Sequence, residues 1–577
     1  MIAQIVFDLP LDGPFDYLIP EDMVPRIKVG ARVKVSFGPR PQIGFVVGLL
    51  AQSTISKLKP IQSLCDASAV FNGPDLAFAR EFCSYYGCSL GEALGAMFRN
   101  KENHRPSLYR EHKPGLTLYR CQPDAYLPRI QEIIKGYPPH SRFLILVPDA
   151  FRGEMLFQQF KGAGSIKLGM RSSVFESDGH YDCVIMVDEE DASYKQEQTP
   201  MYDTTQVLLT RSKIFGFDIA FVGISPSVEL MAMVREGLVR SIETSGAGVP
   251  SARLIDLTNY KFIPGLISPP VRDALEAALK AGKKGILVLN RRGSYRLTRC
   301  VDCGEILKCI HCDSALIFSR SEGKFLCRHC TYTAPGSTVC PKCRKSSWKS
   351  IGIGVEQVQT ELKKQFPQAR IIAFERETGS TVKTVKPVSD FDILITTQAV
   401  LRFQGRWQVG VAAFIDFDAE LNRLDMRSAF KAFSLALHIS SMALESVFIQ
   451  TRNSGHYVLQ HLSRGKIQGF YDDELKLRKE LGFSPFKHWV KISWRGKSEK
   501  FTQEASRQVY NELGKAAPEN YTITPPLADA VGRKRGQFRF NVMVQADDVS
   551  QAVALIKSVL AGTKRPSRVI LTFNIDP

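Results

Sequence analysis

The chain has 577 residues, 44% hydrophobic and 23% charged, which is ordinary for globular protein and long enough for about three to five domains. No apolar run approaches the roughly eighteen residues of a membrane helix, and Met1–Pro10 carries Asp8 and lacks the basic start and apolar run of a secretory leader. The net charge of +18 and pI near 9.3 are not ordinary, and they point to a polyanionic partner, nucleic acid first.

In chain order, residues 1–65 read as short strands (Ile2–Phe7, Arg32–Phe37, Ile43–Leu49) broken by turn signals at Asp12-Gly13-Pro14 and Gly38-Pro39-Arg40-Pro41. Leu76–Tyr86 and Leu90–Phe98 read as two short helices, and the polar stretch Arg99–Gly115 reads as a linker. From Leu116 the texture changes. Apolar runs of parallel-sheet type (Phe143–Val147, Cys183–Val187, Ile219–Val222, Gly285–Leu289, Arg370–Ala373, Phe391–Ile395, Val411–Ile415) alternate with helices such as Pro270–Lys280 and Glu356–Gln365. The tail, Phe470–Pro577, reads β-α-β-α-β and is expected to form a separate α+β domain.

Four Cys-x-x-Cys pairs stand within forty-four residues: Cys300/Cys303, Cys309/Cys312, Cys327/Cys330 and Cys340/Cys343. Each pair can grip one metal from a tight turn, and two pairs complete a four-thiolate site, so eight thiolates read as two structural zinc ions with no position open for water. The insert is rich in charge and turn residues and too short to fold on apolar burial, so metal would supply the missing stability. Disulfides are the competing reading. The other five cysteines (Cys65, Cys83, Cys88, Cys121, Cys183) are scattered and leave an odd total of 13, the pattern of a reducing cytosol.

The strand Val184–Val187 runs into Asp188-Glu189-Glu190-Asp191, the form of a Walker B strand whose acids could hold Mg²⁺. Its partner, the phosphate-cradling Gly-x-x-x-x-Gly-Lys-Ser/Thr loop, is nowhere in the chain. Between the first lobe strand, Leu116–Arg120, and the helix Leu127–Lys135 stands Cys121-Gln122-Pro123-Asp124-Ala125-Tyr126. That segment has no glycine to close backbone N–H groups around phosphate and no lysine to neutralise it, and Asp124 would repel it. A disguised phosphate site is the remaining alternative.

These motifs make the chain similar, nearly end to end, to the primosomal protein N′ family of bacterial replication-restart DNA helicases (PriA). The cysteine insert has the family's spacing, and Leu289-Asn290-Arg291-Arg292-Gly293 resembles its FLNRRG. Val187–Asp191 with Ser193-Tyr194-Lys195-Gln196 resembles VDEEH…SYKQ, and Gly169–Phe175 resembles GtRSAvF. Phe470-Tyr471, Glu474-Leu475, Arg478 and Gly482–Phe486 follow FY..EL.lR…gyPPf. The departures cluster on nucleotide chemistry. GVTGSGKTE is replaced by Cys121–Asp124, the histidine of DEEH by Asp191, GSATPS by Gly223–Ser227, and GTQMiaKG by Thr396–Phe403. QVAGRAGR, which supplies arginine fingers worth about three or more powers of ten in rate, is replaced by His438–Leu444.

The resemblance implies a multidomain α/β protein with two RecA-like helicase lobes. The expected divisions are an N-terminal β-rich DNA-binding domain over 1–100, a linker over 101–115 too short for the family's winged helix, and lobe 1 over 116–265. Lobe 2 is expected over 266–299 and 345–455, the zinc insert over 300–344, and a C-terminal α+β domain over 456–577. The expected zinc pairing joins the outer pairs (Cys300/Cys303 with Cys340/Cys343) and the inner pairs (Cys309/Cys312 with Cys327/Cys330). ATP with Mg²⁺ is not expected as a working cofactor, and no catalytic residue set is expected intact, only the Walker B remnant Asp188 and Glu189.

The N-terminal unit resembles the family's pocket for the 3′ end of a nascent strand, with Phe15-Asp16-Tyr17 matching FDY, Phe37-Gly38 matching PFG, and Lys59 the lysine of an L-K motif. The DNA-binding expectation rests on Phe15, Asp16, Gly38 and Lys59: an aromatic stacks, an acid accepts from the 3′-hydroxyl, and a lysine neutralises phosphate. The plainer reading makes Phe15 and Phe37 core and Lys59 a solvated charge. Arg533–Phe540 is either a track for single-stranded backbone or a basic turn, and Tyr85-Tyr86 is expected to be helix packing.

The expected protein is a cytoplasmic, nucleoid-associated monomer that binds branched and single-stranded DNA and recruits primosome components, single-strand binding protein and the replicative helicase loader, without ATP-driven unwinding. An active 3′-to-5′ helicase with an atypical nucleotide site, and a zinc-bearing scaffold without fork preference, are the alternatives.

Overall fold

The structure, a computed structural model, describes every residue except 39, 99–111, 177–180, 244–250, 261–265, 290–296, 311–314, 320–322, 328–331, 352–353, 375–389, 423–424, 535 and 564–568. Most of the linker, Asn290–Gly293, and Cys312 and Cys330 therefore lie outside the described residues.

The alternating apolar pattern near the N-terminus builds a five-stranded antiparallel sheet in the order Phe15–Leu18, Ile2–Phe7, Arg40–Leu50, Arg32–Phe37, Ile61–Leu64. One face buries Ile5, Val33, Val35 and Val46. The helices Gly73–Tyr86 and Leu90–Phe98 follow, the first opened by a reciprocal Asn72/Asp75 capping box that satisfies two end N–H groups. Gly91 must be glycine, because a Cβ there would meet the Phe7 carbonyl oxygen at 1.6 Å.

Lobe 1 is a six-stranded parallel sheet ordered Arg240–Glu243, Leu116–Arg120, Asp218–Gly223, Cys183–Val187, Phe143–Leu146, Ile166–Gly169. Its central strands are buried on both faces, which is why they read as unbroken apolar runs. Lobe 2 repeats the plan: Ala252–Asp256, Ala443–Thr451, Val409–Phe414, Gly285–Val288, Ile393–Thr396, Ile371–Phe374, again all parallel. One boundary moves. Ala252–Asp256, assigned to lobe 1 by sequence, pairs in register with Val447–Thr451 and so belongs to lobe 2. A five-residue strand carries no mark of which of two similar sheets it will join.

The zinc insert leaves lobe 2 on a two-stranded stalk, Leu297–Cys300 against Trp348–Ile351, and carries a three-stranded sheet around Leu307, Leu316 and Phe325. Two helices, Tyr457–Arg464 and Ile467–Leu481, lead to the terminal sheet, ordered Thr522–Ile523, Gln537–Ala546, His488–Gly496, Ile570–Ile575, with Leu527–Lys534 also paired to Gln537–Ala546. The helices Glu499–Ala516 and Val549–Gly562 pack on it. Gly536 at φ +72° turns the hairpin that holds the basic stretch, and the strand after it is interior, paired on both sides.

Ionic contacts and hydrogen bonds join these bodies. Glu229 of lobe 1 lies 3.1 Å from both Arg427 of lobe 2 and Arg478 of Ile467–Leu481, and Arg478 also donates to Glu474 at 2.8 Å. Lys195 donates to the carbonyls of Ile575 and Asp576, and Tyr471 to that of Pro226. Tyr86 bonds with the backbone of Asp203, so this tyrosine is helix packing.

Candidate functional site: the inter-lobe cleft, the zinc knuckles and the N-terminal strand edge

At the end of the buried strand Cys183–Val187 the chain turns sharply. Asp188 takes φ +47°, uncommon for a side-chain-bearing residue though tolerated by Asp, and is 2% exposed. Its Oδ1 accepts from the Tyr126 hydroxyl at 2.5 Å, and that hydroxyl accepts from the Ile224 N–H at 3.1 Å. Tyr126 opens the helix after the first lobe strand, so a phenol stands against the Walker B acid where a motor needs phosphate and metal. Asp149 caps the helix Ala150–Gln159 by accepting from the N–H groups of Phe151 and Arg152, and it also holds Arg152 Nε at 3.1 Å. The Arg152 guanidinium then reaches Asp188 at 3.7 Å and pairs with Asp191. Burial opposes its charge, but the three carboxylates outweigh burial and raise its pKa. Burial would likewise raise Asp191, and Arg152 instead holds it below the ordinary range. Glu189 Oε1 accepts from the Ser227 N–H at 2.6 Å, and burial beside Glu190 keeps its pKa high.

The fourth acid faces the other lobe. Glu190 Oε1 lies 2.7 Å from His438 Nε2, both side chains being 5% exposed. Burial raises Glu190 to about 7 against the hydrogen bond from His438. Burial opposes the imidazolium, yet Glu190 and Asp188 prevail and raise His438. The ring's Nδ1 lies 2.7 Å from Gln404 Nε2 and 3.0 Å from Gln404 Oε1, and Gln404 Nε2 donates to Ser441 Oγ at 3.2 Å. Donor atoms of Asp188, Glu190 and His438 lie within 4.8 Å of one another, with the Arg152 guanidinium supplying positive charge beside them. Above this, Arg406 of lobe 2 donates to the Phe151 carbonyl at 2.8 Å and to Glu154 at 3.0 Å, with its guanidinium 4.5 Å from the Phe151 ring centre. Gly405, at φ +75°, lets the lobe 2 loop approach the turn Pro123–Ala125; a Cβ there would stand 3.3 Å from the Pro123 carbonyl oxygen. Sequence reasoning placed Asp188 and Glu189 here and missed Arg152, Gln404, Arg406 and the His438–Glu190 pair. No local signal marks them, since the pair is 248 residues apart.

In the insert, the sulfurs of Cys300 and Cys343, and of Cys303 and Cys340, are 3.5 Å apart, and all four converge. A tetrahedron with Zn–S bonds of about 2.3 Å has edges of about 3.8 Å, so the donor set fits zinc. Burial would raise the Cys340 thiol. The N–H groups of Cys343 and Lys342 aimed at its sulfur more than offset this and bring it down to about 7, favouring the thiolate that binds metal. Cys309 and Cys327 of the inner pairs are buried in the core of the insert.

At the N-terminus, Phe15 packs against Phe7 and Phe37 at ring distances of 5.8 and 5.3 Å and is only half-buried. Asp16 lies on the edge strand Phe15–Leu18 and accepts from Ser53 Oγ at 2.5 Å. The Lys59 carbonyl accepts from the Leu18 N–H on the same edge, and Lys59 itself is exposed. Gly38, at φ +63° with open space where a Cβ would be, turns the hairpin beside Phe37. The strand edge thus gathers Phe15, Asp16 and Lys59, with Gly38 at the turn next to them.

Two parallel six-stranded lobes, a four-thiolate insert and a small antiparallel domain at each end define a helicase-type scaffold. Residues 4–99 match the family model of the PriA 3′ DNA-binding domain, and residues 479–577 that of the primosomal protein N C-terminal domain. The replication restart protein PriA of Treponema pallidum is 24% identical over all of this chain and 99% of its own length, and that of Rickettsia conorii 23% over the same shares. The Bacillus subtilis protein is 25% identical over 71% of this chain and 53% of its own. The chain is thus similar over its whole length to replication restart proteins PriA, and its two ends match domain models of that family. Among solved structures, the DUF1998 helicase MrfA bound to DNA and AMPPNP aligns at a TM-score of 0.32 and 12% identity, covering 62% of this chain and 48% of that one. RecG bound to a three-way DNA junction aligns at 0.28 and 10%, covering 63% and 40%. The chain spans less than half the length of either.

Proposed function

We propose that the chain acts in replication restart by binding branched DNA, such as a stalled fork with a 3′ leading-strand end, and recruiting primosome components, single-strand binding protein and the replicative helicase loader without ATP-driven unwinding. The observation that carries the second half is the occupied cleft. Tyr126 sits on Asp188, Arg152 neutralises the Walker B acids, and the Pro123–Ala125 turn meets Gly405 where a phosphate loop would open. Asp124 would repel phosphate there, and the arginine fingers of the family have no counterpart in His438–Leu444. The first half is supported by the match of residues 4–99 to a 3′ DNA-binding model and by the grouping of Phe15, Asp16, Gly38 and Lys59. In this reading Asp16 accepts from the terminal 3′-hydroxyl, Lys59 neutralises backbone phosphate and the half-buried Phe15 offers its ring face.

The test is affinity for a fork with a free 3′ leading end against a linear duplex of equal length at one salt concentration, because phosphate contacts alone bind both alike. Tighter fork binding that falls to the duplex level in Asp16→Ala supports the reading. Equal affinity for both, in the parent chain, leaves only the scaffold without fork preference.

A further inference from the structure

The contacts that fill the cleft also cross it. Glu190 follows the Walker B strand of lobe 1, and His438 lies in the helix Ser428–Ser440 of lobe 2. Gln404 and Ser441 complete the imidazole's shell from lobe 2. A second bridge runs from Arg406 to the Phe151 carbonyl and Glu154, backed by the edge contact of Phe403 with Phe151 at 5.0 Å. A third joins Arg427 to Glu229, which Arg478 binds from the far side. The bridges stand at different points along the facing lobes, so they fix rotation as well as separation.

We propose that these bridges form a nucleotide-independent clasp that holds the two lobes in one closed arrangement. The inference rests on the reading of the cleft as unable to turn over nucleotide, and adds what has taken the nucleotide's place. In a motor, nucleotide supplies the cross-lobe contacts and takes them away at each turnover, so the lobes alternate between arrangements. Here the same position holds side-chain pairs that no reaction removes. Glu190 and His438 are both shielded from water, and separating the lobes would break their pairing. A Cβ at Gly405 would stand 3.3 Å from the Pro123 carbonyl oxygen, so the lobes approach closely there. The consequence is a rigid frame. The C-terminal domain docks through its last strand, held by Lys195, and through Lys557 of the helix Val549–Gly562, which donates to the Cys88 carbonyl beside the N-terminal helices. The N-terminal strand edge and the C-terminal domain are then presented at one fixed spacing, the property of a template for branched DNA, not of a translocating motor.

The test is an inter-lobe distance distribution, by pulsed electron spin resonance, on the full zinc-loaded chain. Labels are carried on non-natural residues at Lys135 and Ala277, exposed on helices of lobes 1 and 2, so that the zinc thiols are untouched. The clasp predicts one narrow distribution, unchanged by ATP with Mg²⁺. It predicts broadening by about twofold or more in His438→Ala and a return toward the parent width in His438→Gln, which keeps a donor toward Glu190. Arg406→Ala probes the second bridge should His438→Ala fail to fold. A broad or two-peaked distribution in the parent chain overturns the proposal, and so does an unchanged width in both loss variants. Hydrolysis is measured on the same samples. Turnover with one fixed distance would sink the nucleotide reading and leave the clasp, whereas silence toward ATP with a broad distribution would do the reverse.

Discussion

Arg478 shows how much a single side chain carries in this molecule. It is 3% exposed, donates to Glu474, Glu229 and the Ser484 carbonyl, and thereby ties the helix Ile467–Leu481 to lobe 1. Arg478→Ala leaves Glu474 buried without its cation, and breaking such a pair costs about 3–5 kcal/mol; a matching loss in urea unfolding free energy is expected, and a change under about 0.5 kcal/mol would show the pair to be slack. His488 gives a pH signature. Burial disfavours its charge, but the hydrogen bond and charge of Asp576 at 2.7 Å outweigh that and raise its pKa. A raised folded pKa contributes stability fully below the unfolded value of about 6.5 and loses it as pH rises through the folded value. Docking of the last strand should therefore weaken as pH rises above about 6.5, read as faster amide exchange at Ile570–Ile575, and His488→Gln should remove that pH dependence. Residues of this kind were only half legible. Glu474 and Arg478 stood out through a family motif, and Asp188 because acids end an apolar strand. Arg152 and His438 did not, since an arginine early in a helix and a histidine on an apolar face carry no mark of partners brought in from a later strand end or, for His438, from 248 positions away.

At the scale of elements, the zinc insert was the most legible part of the chain, because metal imposes a spacing on cysteine that nothing else in it requires. Two zinc ions per chain are expected by atomic absorption, released by a strong chelator with melting of the insert while the parallel sheets persist in circular dichroism. One ion per chain would confine zinc to the Cys300, Cys303, Cys340 and Cys343 site, whose four sulfurs converge. The buried strands of both lobes were equally legible, since continuous apolar runs leave few other fates. Two things were not. The edge strand Phe15–Leu18 is short and half-polar, so it read as a turn and motif where it is a strand paired to Ile2–Phe7. Ala252–Asp256 was assigned to the wrong lobe because register with Ala443–Thr451 is a tertiary fact. Phe15 and Phe37 meet both of the readings their sequence allowed: they pack against each other and Phe7, yet keep part of their surface toward solvent.

For the whole molecule, losing the phosphate loop and keeping the fold are compatible because the lobes are held by apolar sheets and cross-lobe pairs, neither of which uses nucleotide. Among the described residues no helix is long and apolar enough to cross a membrane, and the charge of +18 suits a surface that meets DNA. The absence of a Gly-x-x-x-x-Gly-Lys-Ser/Thr motif could be read from the sequence alone, because the motif has a fixed signature. What replaced it could not, because Tyr126, Arg152 and His438 reach one point from three separate segments.

The most direct measurement is the ATP hydrolysis rate of the zinc-loaded chain with and without forked DNA bearing a 3′ leading-strand end. Fork binding with no stimulated hydrolysis is the predicted result. Hydrolysis that the fork stimulates and Asp188→Ala abolishes would contradict it, and would make this chain an active helicase with an unconventional nucleotide site.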